Sequence, residues 1–165
     1  MDAVACSFVL KKIHKIGKAF QVVDQFGQAR YHISQKQFSI GNKVVITDPA
    51  GDQVAVLRRM FSPIVPKYRV CIAGVEPFSV RRKLSLAPVY QVSGYGWTIL
   101  ASASRYRCYA DEQSQKALFD LQQVTGSWMD RFCIDVYERE FSLHGICIAV
   151  AIDMAIDDIR KTGKH

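Results

Sequence analysis

The sequence predicts a mainly β protein, a closed antiparallel barrel of about twelve strands around a central hydrophobic C-terminal helix. Three observations lead to this prediction. A segment recurs about every 23 residues between residues 13 and 90, β-rich runs continue to about residue 139, and one apolar helical stretch follows them. Repeats of this length are typical of an architecture assembled from one supersecondary unit.

The repeated unit is a strand, a turn, a second strand and a second turn. Asp24 and Asp48 each stand three residues before a glycine, Gly27 or Gly51, and Gly74 marks the third copy. Aspartate side chains bond to their own backbone in tight turns, and glycine adopts the positive φ that such turns require. We therefore interpret Asp24 and Asp48 as turn formers and not as metal ligands.

The runs between the turns predict strands. β-branched and aromatic residues alternate with polar ones in them, as in "VVIT" before Asp48 and "RFCIDV" near residue 135. Short turns pair consecutive strands as antiparallel hairpins. About twelve strands in one open sheet would leave exposed edges, so we expect closure into a barrel over residues 5–139.

The tail predicts a helix over about residues 142–160. Ile148, Ile152 and Ile156 follow helical spacing, and the stretch 146–152 is apolar on every side. A helix of that kind is buried all round. Because the barrel interior is the only large cavity the strands can offer, we expect the helix to fill it.

Length and charge limit the protein class. A chain of 165 residues suits one domain, residues 1–165. Its 22 basic and 15 acidic residues give a net charge of +7, which favours lipid headgroups, nucleic acid or acidic proteins as partners. The alternative is a solvated basic surface that has no partner.

Five cysteines, an odd number without a C-x-x-C pair, indicate free thiols in a reducing compartment. Neither they nor the histidines have the spacing of metal ligands. No apolar run approaches the roughly 20 residues of a bilayer span. We expect a cytoplasmic protein, able to lie peripherally at a membrane, with no cofactor and no metal.

Three phrases also resemble a known family. They are "QFSIGNKVVITDPAGDQVAVLRRMFS" (37–62), "PKYRV" (66–70) and "IAVAIDMAIDD" (148–158). In this order, over roughly residues 10–160, they resemble the LURP-one-related proteins, which look like relatives of the Tubby C-terminal domain and the phospholipid scramblases. The resemblance implies a twelve-stranded closed barrel around a C-terminal helix. It leaves the strand register open within residues 93–127.

The resemblance implies less about function. Tubby domains are linked to phosphoinositide binding and transcription, scramblases to calcium-dependent lipid movement, and most LURP-one-related proteins have no assigned biochemistry. The sequence contains no acidic loop typical of a calcium site and no apolar stretch suited to a scramblase anchor.

Basic residues recur in phase with the repeat and form the candidate site. Lys36, Arg59 and Arg82 each stand two residues before a repeated apolar position. At equal heights of a barrel they would make a basic band at one rim, suited to phosphate or lipid headgroups. The alternative is charge that protects strand ends and keeps the protein in solution. The full candidate set for anion or lipid binding is Lys36, Arg58, Arg59, Arg81, Arg82 and Lys83.

No catalytic motif is present, so the sequence predicts a non-enzymatic binding or scaffold module for anionic, phosphoinositide-type headgroups at the cytosolic membrane surface. Two alternatives remain open: a nucleic-acid-binding transcriptional regulator, and a small-ligand or partner-binding barrel of unassigned role. Tyr95 and Trp97 suit packing on the barrel wall, base stacking or membrane insertion.

Overall fold

The computed structural model describes residues 3–13, 19–36, 43–62, 64–86, 89–111 and 113–162. Within these residues, twelve antiparallel strands close into a barrel in which each strand pairs with its chain neighbours and β1 pairs with β12. A 3-10 turn at Arg139–Phe141 leads into the helix. The elements are β1 Cys6–Lys12, β2 Ala19–Asp24, β3 Ala29–Lys36, β4 Lys43–Thr47, β5 Gln53–Met60, β6 Lys67–Ile72, β7 Phe78–Lys83, β8 Val89–Ser93, β9 Trp97–Ser102, β10 Arg105–Tyr109, β11 Ala117–Gln123, β12 Asp130–Val136 and α1 Ser142–Thr162.

The chain reverses at two different ends of the barrel. We call one the turn end, where the tight turns after β2, β4, β6 and β8 lie and where α1 begins beside β1. There the Ser142 Oγ lies 3.1 Å from the Cys6 Sγ. We call the other the loop end, where β3, β5 and β7 finish and the last turns of α1 lie. One repeat of the sequence is therefore two strands, which return the chain to the same end.

The tight turns form as the sequence predicts. The Asp24 carboxylate accepts hydrogen bonds from the backbone N–H groups of Phe26 and Gln28, at 2.9 Å and 3.0 Å. The Asp48 carboxylate accepts one from Asp52 at 2.9 Å. The glycines of both turns have positive φ. The interpretation of these two aspartates as turn formers is confirmed.

The helix lies inside the barrel. Every residue from Ile146 to Ile152 is 3% exposed or less. The helix contacts β5 and β6 on one side and β11 and β12 on the opposite side of the closed strand order, which only an enclosed helix can do. A Cβ on Gly145 would meet the Phe119 ring at 3.4 Å, so a small residue lets the helix start close to the wall. The predicted central helix is confirmed.

The stretch 93–127, where the register was open, contains β9, β10 and β11 in regular antiparallel pairing. Among the described residues of this stretch, the pairing has one irregularity, a shift between Cys108 and Tyr109 where β10 pairs with β11. A β-bulge of this kind bends a strand locally without breaking the sheet. The barrel is therefore continuous through this region.

A cluster on the outer wall ties β10, β11 and the end of β12 together. Asp120 accepts two hydrogen bonds from Arg107 and one from Arg105, all at 2.9 Å, and one from the Tyr137 hydroxyl at 2.6 Å. Burial alone would raise the pKa of Asp120, but these hydrogen bonds outweigh it and lower the pKa to about 2. The cluster therefore stabilises the ionised carboxylate in the folded chain.

Replacing Asp120 by asparagine should lower the free energy of unfolding by about 1–3 kcal/mol at neutral pH, because the neutral amide keeps one acceptor oxygen and has no negative charge to pair with the two guanidinium groups. The pKa of Asp120 is lower in the folded than in the unfolded chain, so the unfolded chain takes up the proton first. The ionised Asp120 therefore contributes its full share of the folding stability above pH 3.8, and this contribution is lost as the pH falls towards about 2. Urea unfolding at neutral and acidic pH measures this effect. The exposed Asp52→Asn is the matched control, and equal losses in both variants would contradict the prediction.

Candidate anion-binding site

Basic residues are concentrated at the loop end of the barrel. Arg58 and Arg59 stand near the end of β5, Arg81 to Lys83 end β7, and Lys67 begins β6. Acidic residues mark the opposite, turn end. There, turns and the segment before α1 carry Asp24, Asp48, Asp52, Glu76, Glu138 and Glu140. At the loop end, the carboxylates of Asp130, Asp153 and Asp158 pair with Lys11, Arg131 and Arg59. Basic residues outnumber acidic ones there, so the barrel is electrically polar along its axis.

Strand alternation divides the predicted basic set between two faces. On β5, Leu57 is buried and Arg58 exposed, so Arg58 lies on the outer wall while the next residue, Arg59, turns inward at the rim. On β7, Val80 is buried and Arg81 exposed, so Arg81 and Lys83 share the outer wall. Arg82, between them, lies on the inner side, level with Tyr90.

Arg59 is held by the helix. Its Nε lies 3.4 Å from the Asp158 carboxylate near the end of α1. The Tyr68 hydroxyl donates a hydrogen bond to the same carboxylate. Burial, followed by that hydrogen bond, raises the pKa of Tyr68 well above its ordinary value. Arg59 thus anchors the helix at the rim and is separate from the basic outer wall.

On the outer wall the basic residues face one another across the strands. Arg58 pairs in register with Lys43 on β4 and with Arg69 on β6. Lys67 pairs with Arg81 on β7. Like charges placed directly opposite one another destabilise a sheet. The outer wall near the loop end therefore brings like charges opposite one another, and an anion bound beside Lys67 and Arg81 would relieve the repulsion between those two.

Lys43, Lys67 and Arg69 are functional candidates that the sequence reasoning missed. The 23-residue repeat marks the ends of β3, β5 and β7, which run towards the loop end. Lys43 and Lys67 instead begin β4 and β6, which run away from it. Their position directly after a loop was the available signal, because such residues meet the same rim.

Lys36 occupies the last position of β3, in register with Lys43. Its side chain lies outside the described residues. Since Lys43 in turn pairs with Arg58, the backbone at Lys36 is level with Arg58 and not with Arg59. The residues at equivalent positions of the repeat therefore lie at one rim of the barrel, but they are not in register with one another across the strands.

A groove of about 480 Å³ opens between the loops that follow β5 and β7. Lys67, Arg81, Arg82 and Lys83 contribute its charges, and the Arg81 guanidinium donates a hydrogen bond to the Gln91 Oε1 at 3.2 Å. The backbones of Lys67 and Arg81 are roughly 5 Å apart across the ladder, and those of Arg81 and Lys83 are about 7 Å apart along β7. The three side chains lie on the same face and line the same groove, so a phosphate group bound there would be near all three charges.

A second concavity of about 350 Å³ adjoins this groove and shares Lys67 and Arg81 with it. Hydroxyl groups line it, including those of Ser79 and Ser93, whose oxygens are 2.6 Å apart. The outer wall thus places hydroxyl and amide groups beside the cations.

Tyr95 and Trp97 pack at the turn end and not at the basic rim. The Tyr95 hydroxyl lies 2.9 Å from the His144 Nε2, and the His144 ring stacks on Phe78 with ring centroids 5.5 Å apart. Burial lowers the pKa of His144. Trp97 is 5% exposed. Among the three roles considered for these aromatics, packing is confirmed.

In the part of the chain that the structure describes, no group of His, Cys, Asp and Glu side chains could hold a metal ion. The described helix lacks the combination of length and hydropathy needed to cross a membrane. All five cysteines are free, with Cys6, Cys108 and Cys147 buried and Cys71 and Cys133 exposed.

Twelve antiparallel strands closed around a helix, with a basic rim, define this protein as a helix-filled β-barrel. The sequence model of the LURP-one-related family matches residues 7–153, and the chain belongs to that family. The resemblance found in the sequence is confirmed.

The chain is similar to proteins from two distant organisms. It is 22% identical over 150 residues to the uncharacterized protein YxjI of Bacillus subtilis (strain 168), covering 90% of this chain and 92% of that protein. It also resembles the X-ray structure of a protein from Arabidopsis thaliana with a TM-score of 0.61 and 18% identity, covering 90% of this chain and 91% of the other. The second likeness concerns the fold alone.

Proposed function

We propose that this protein is a non-enzymatic binding module that recognises anionic, phosphoinositide-type headgroups at the cytosolic surface of a membrane. The observation that carries the proposal is the like-charge pair of Lys67 and Arg81, which lines a groove together with Lys83. Among the described residues, no carboxylate lies within ion-pair distance of these three side chains.

The shape of the site suits a phosphorylated polyol. A phosphate in the groove would accept hydrogen bonds from the Arg81 guanidinium and the Lys67 and Lys83 ammonium groups, which are strong because both partners are charged. The adjoining concavity offers Ser79, Ser93 and Gln91 to sugar hydroxyls. Both requirements are met within one stretch of outer wall.

The polarity of the barrel supports binding in one orientation. An anionic bilayer attracts basic residues near its surface by about 1 kcal/mol each and repels acidic ones. The loop end carries the basic groove, while the acidic turns lie at the opposite end. The protein would therefore approach a membrane with its loop end first.

Sedimentation with lipid vesicles tests the proposal. The protein should bind phosphatidylcholine vesicles that contain phosphatidylinositol bisphosphate, bind vesicles containing phosphatidylserine more weakly, and leave neutral vesicles unbound. Binding should weaken as salt screens the surface charge. Equal binding to neutral and anionic vesicles at low salt would contradict the proposal. Tighter, salt-sensitive binding to DNA or RNA would favour the nucleic-acid alternative instead.

A further inference from the structure

We propose that the loops after β5 and β7 insert apolar side chains into an anionic bilayer. The barrel then binds with its loop end facing the membrane and its axis at a large angle to the membrane plane. We call these side chains the apolar tips. The inference rests on the proposed function, because the basic groove supplies the attraction that brings the loop end to the surface. The apolar tips are Phe61, Ile64, Leu84 and Leu86.

The apolar tips are exposed to an unusual degree. Phe61 is 96% exposed, Ile64 73%, Leu84 71% and Leu86 109%. Single exposed apolar residues are common on proteins, but neighbouring ones that share a rim mark interaction sites. Trp128 and Met129, before β12, add exposed apolar surface at this same end. Exposed apolar side chains from three different loops therefore lie at the loop end.

Charge and apolar surface occur together in one place. Phe61 and Ile64 come from the loop after β5 and Leu84 from the loop after β7, and all three line the groove that holds Lys67 and Arg81. The apolar tips belong to loops, beyond the strand ends that carry the cations. With the apolar tips at the acyl boundary, about 5–10 Å below the polar surface, the cations would lie among the headgroup phosphates.

This arrangement favours a bilayer over other anionic partners. Nucleic acid offers phosphates to the cations but no apolar layer to receive aliphatic side chains. A bilayer offers both at the required depths, with phosphates outside and hydrocarbon inside. Long basic side chains also reach the phosphate level while their aliphatic stems stay in the apolar region.

Leu86 allows a sharp test because it is fully exposed and does not line the groove. Leu86→Ser should weaken binding to vesicles containing phosphatidylinositol bisphosphate by about tenfold, since a leucine leaves the hydrocarbon. Binding of soluble inositol trisphosphate, measured by calorimetry, should stay unchanged. The matched control is Phe26→Ser, because Phe26 is 80% exposed at the turn end and should lie away from the membrane.

A second readout reports depth directly. Leu86→Trp should gain fluorescence that brominated acyl chains quench, whereas Phe26→Trp should show no added quenching. Wild-type vesicle affinity in Leu86→Ser, or equal quenching in the two tryptophan variants, would overturn insertion. Inositol trisphosphate binding would then still support the proposed function. A wild-type protein that bound neither anionic vesicles nor inositol trisphosphate would instead refute the proposed function itself.

Discussion

Replacing Lys67, Arg81 and Lys83 together by glutamine should weaken binding to anionic vesicles by about a hundredfold at low salt. Each basic residue near a negatively charged bilayer contributes about 1 kcal/mol, and about 1.4 kcal/mol corresponds to a factor of ten. The fold should survive, since the three side chains lie on the outer wall and the substitution removes a like-charge pair. Vesicle sedimentation over a salt series measures the loss, which should shrink as salt rises.

The chain offers a matched control for net charge. Arg30→Gln, Lys116→Gln and Arg139→Gln together remove the same number of charges from the net +7, but at positions near the turn end. This variant should keep nearly all vesicle binding, because those residues should lie away from the membrane. A similar loss in both triple variants would assign binding to overall charge and contradict a localised site.

Replacing Ile148 by alanine should lower the free energy of unfolding by about 2–5 kcal/mol, the usual range for removing a large aliphatic side chain from a packed core. Ile148 is 0% exposed and lies in the middle of the helix stretch that is buried on every side. The closed ladder resists collapse into the space left behind, because every strand is paired on both sides.

Urea unfolding monitored by tryptophan fluorescence measures this loss, since Trp97 is buried in the core. Ile64→Ala is the matched control, because it removes the same atoms from a side chain that is 73% exposed. The control should change stability by less than about 0.5 kcal/mol. Comparable losses in the two variants would contradict the placement of the helix as the filling of the barrel.

Much of the fold could be predicted because its signals are local. Asp24 and Asp48 with their following glycines specify turns through contacts within a few residues. The apolar stretch from Ile146 to Ile152 has no polar face, so it had to be enclosed. Closure follows from the need to pair the edges of so many short strands.

The candidate site could be predicted only to the level of a rim. The repeat phase marked Arg59 and Arg82, but both turn to the inner side, where Arg59 meets Asp158. The residues that face Arg58 and Arg81 on the outer wall are Lys43, Arg69 and Lys67. Which residues face each other depends on the register between neighbouring strands of the tilted barrel. The 23-residue period of the sequence does not specify that register.

The sequence by itself determined the turns, the strands, the buried helix and the end of the barrel where basic residues gather. These follow from side-chain chemistry and from spacing along the chain. Only the tertiary structure decided that Lys67 lies opposite Arg81, that Arg59 is paired with the helix, and that Phe61 and Leu84 border the same groove. The physical reason is that strand register and barrel closure bring together residues from separate strands, and the electrostatics of a site depend on those distances.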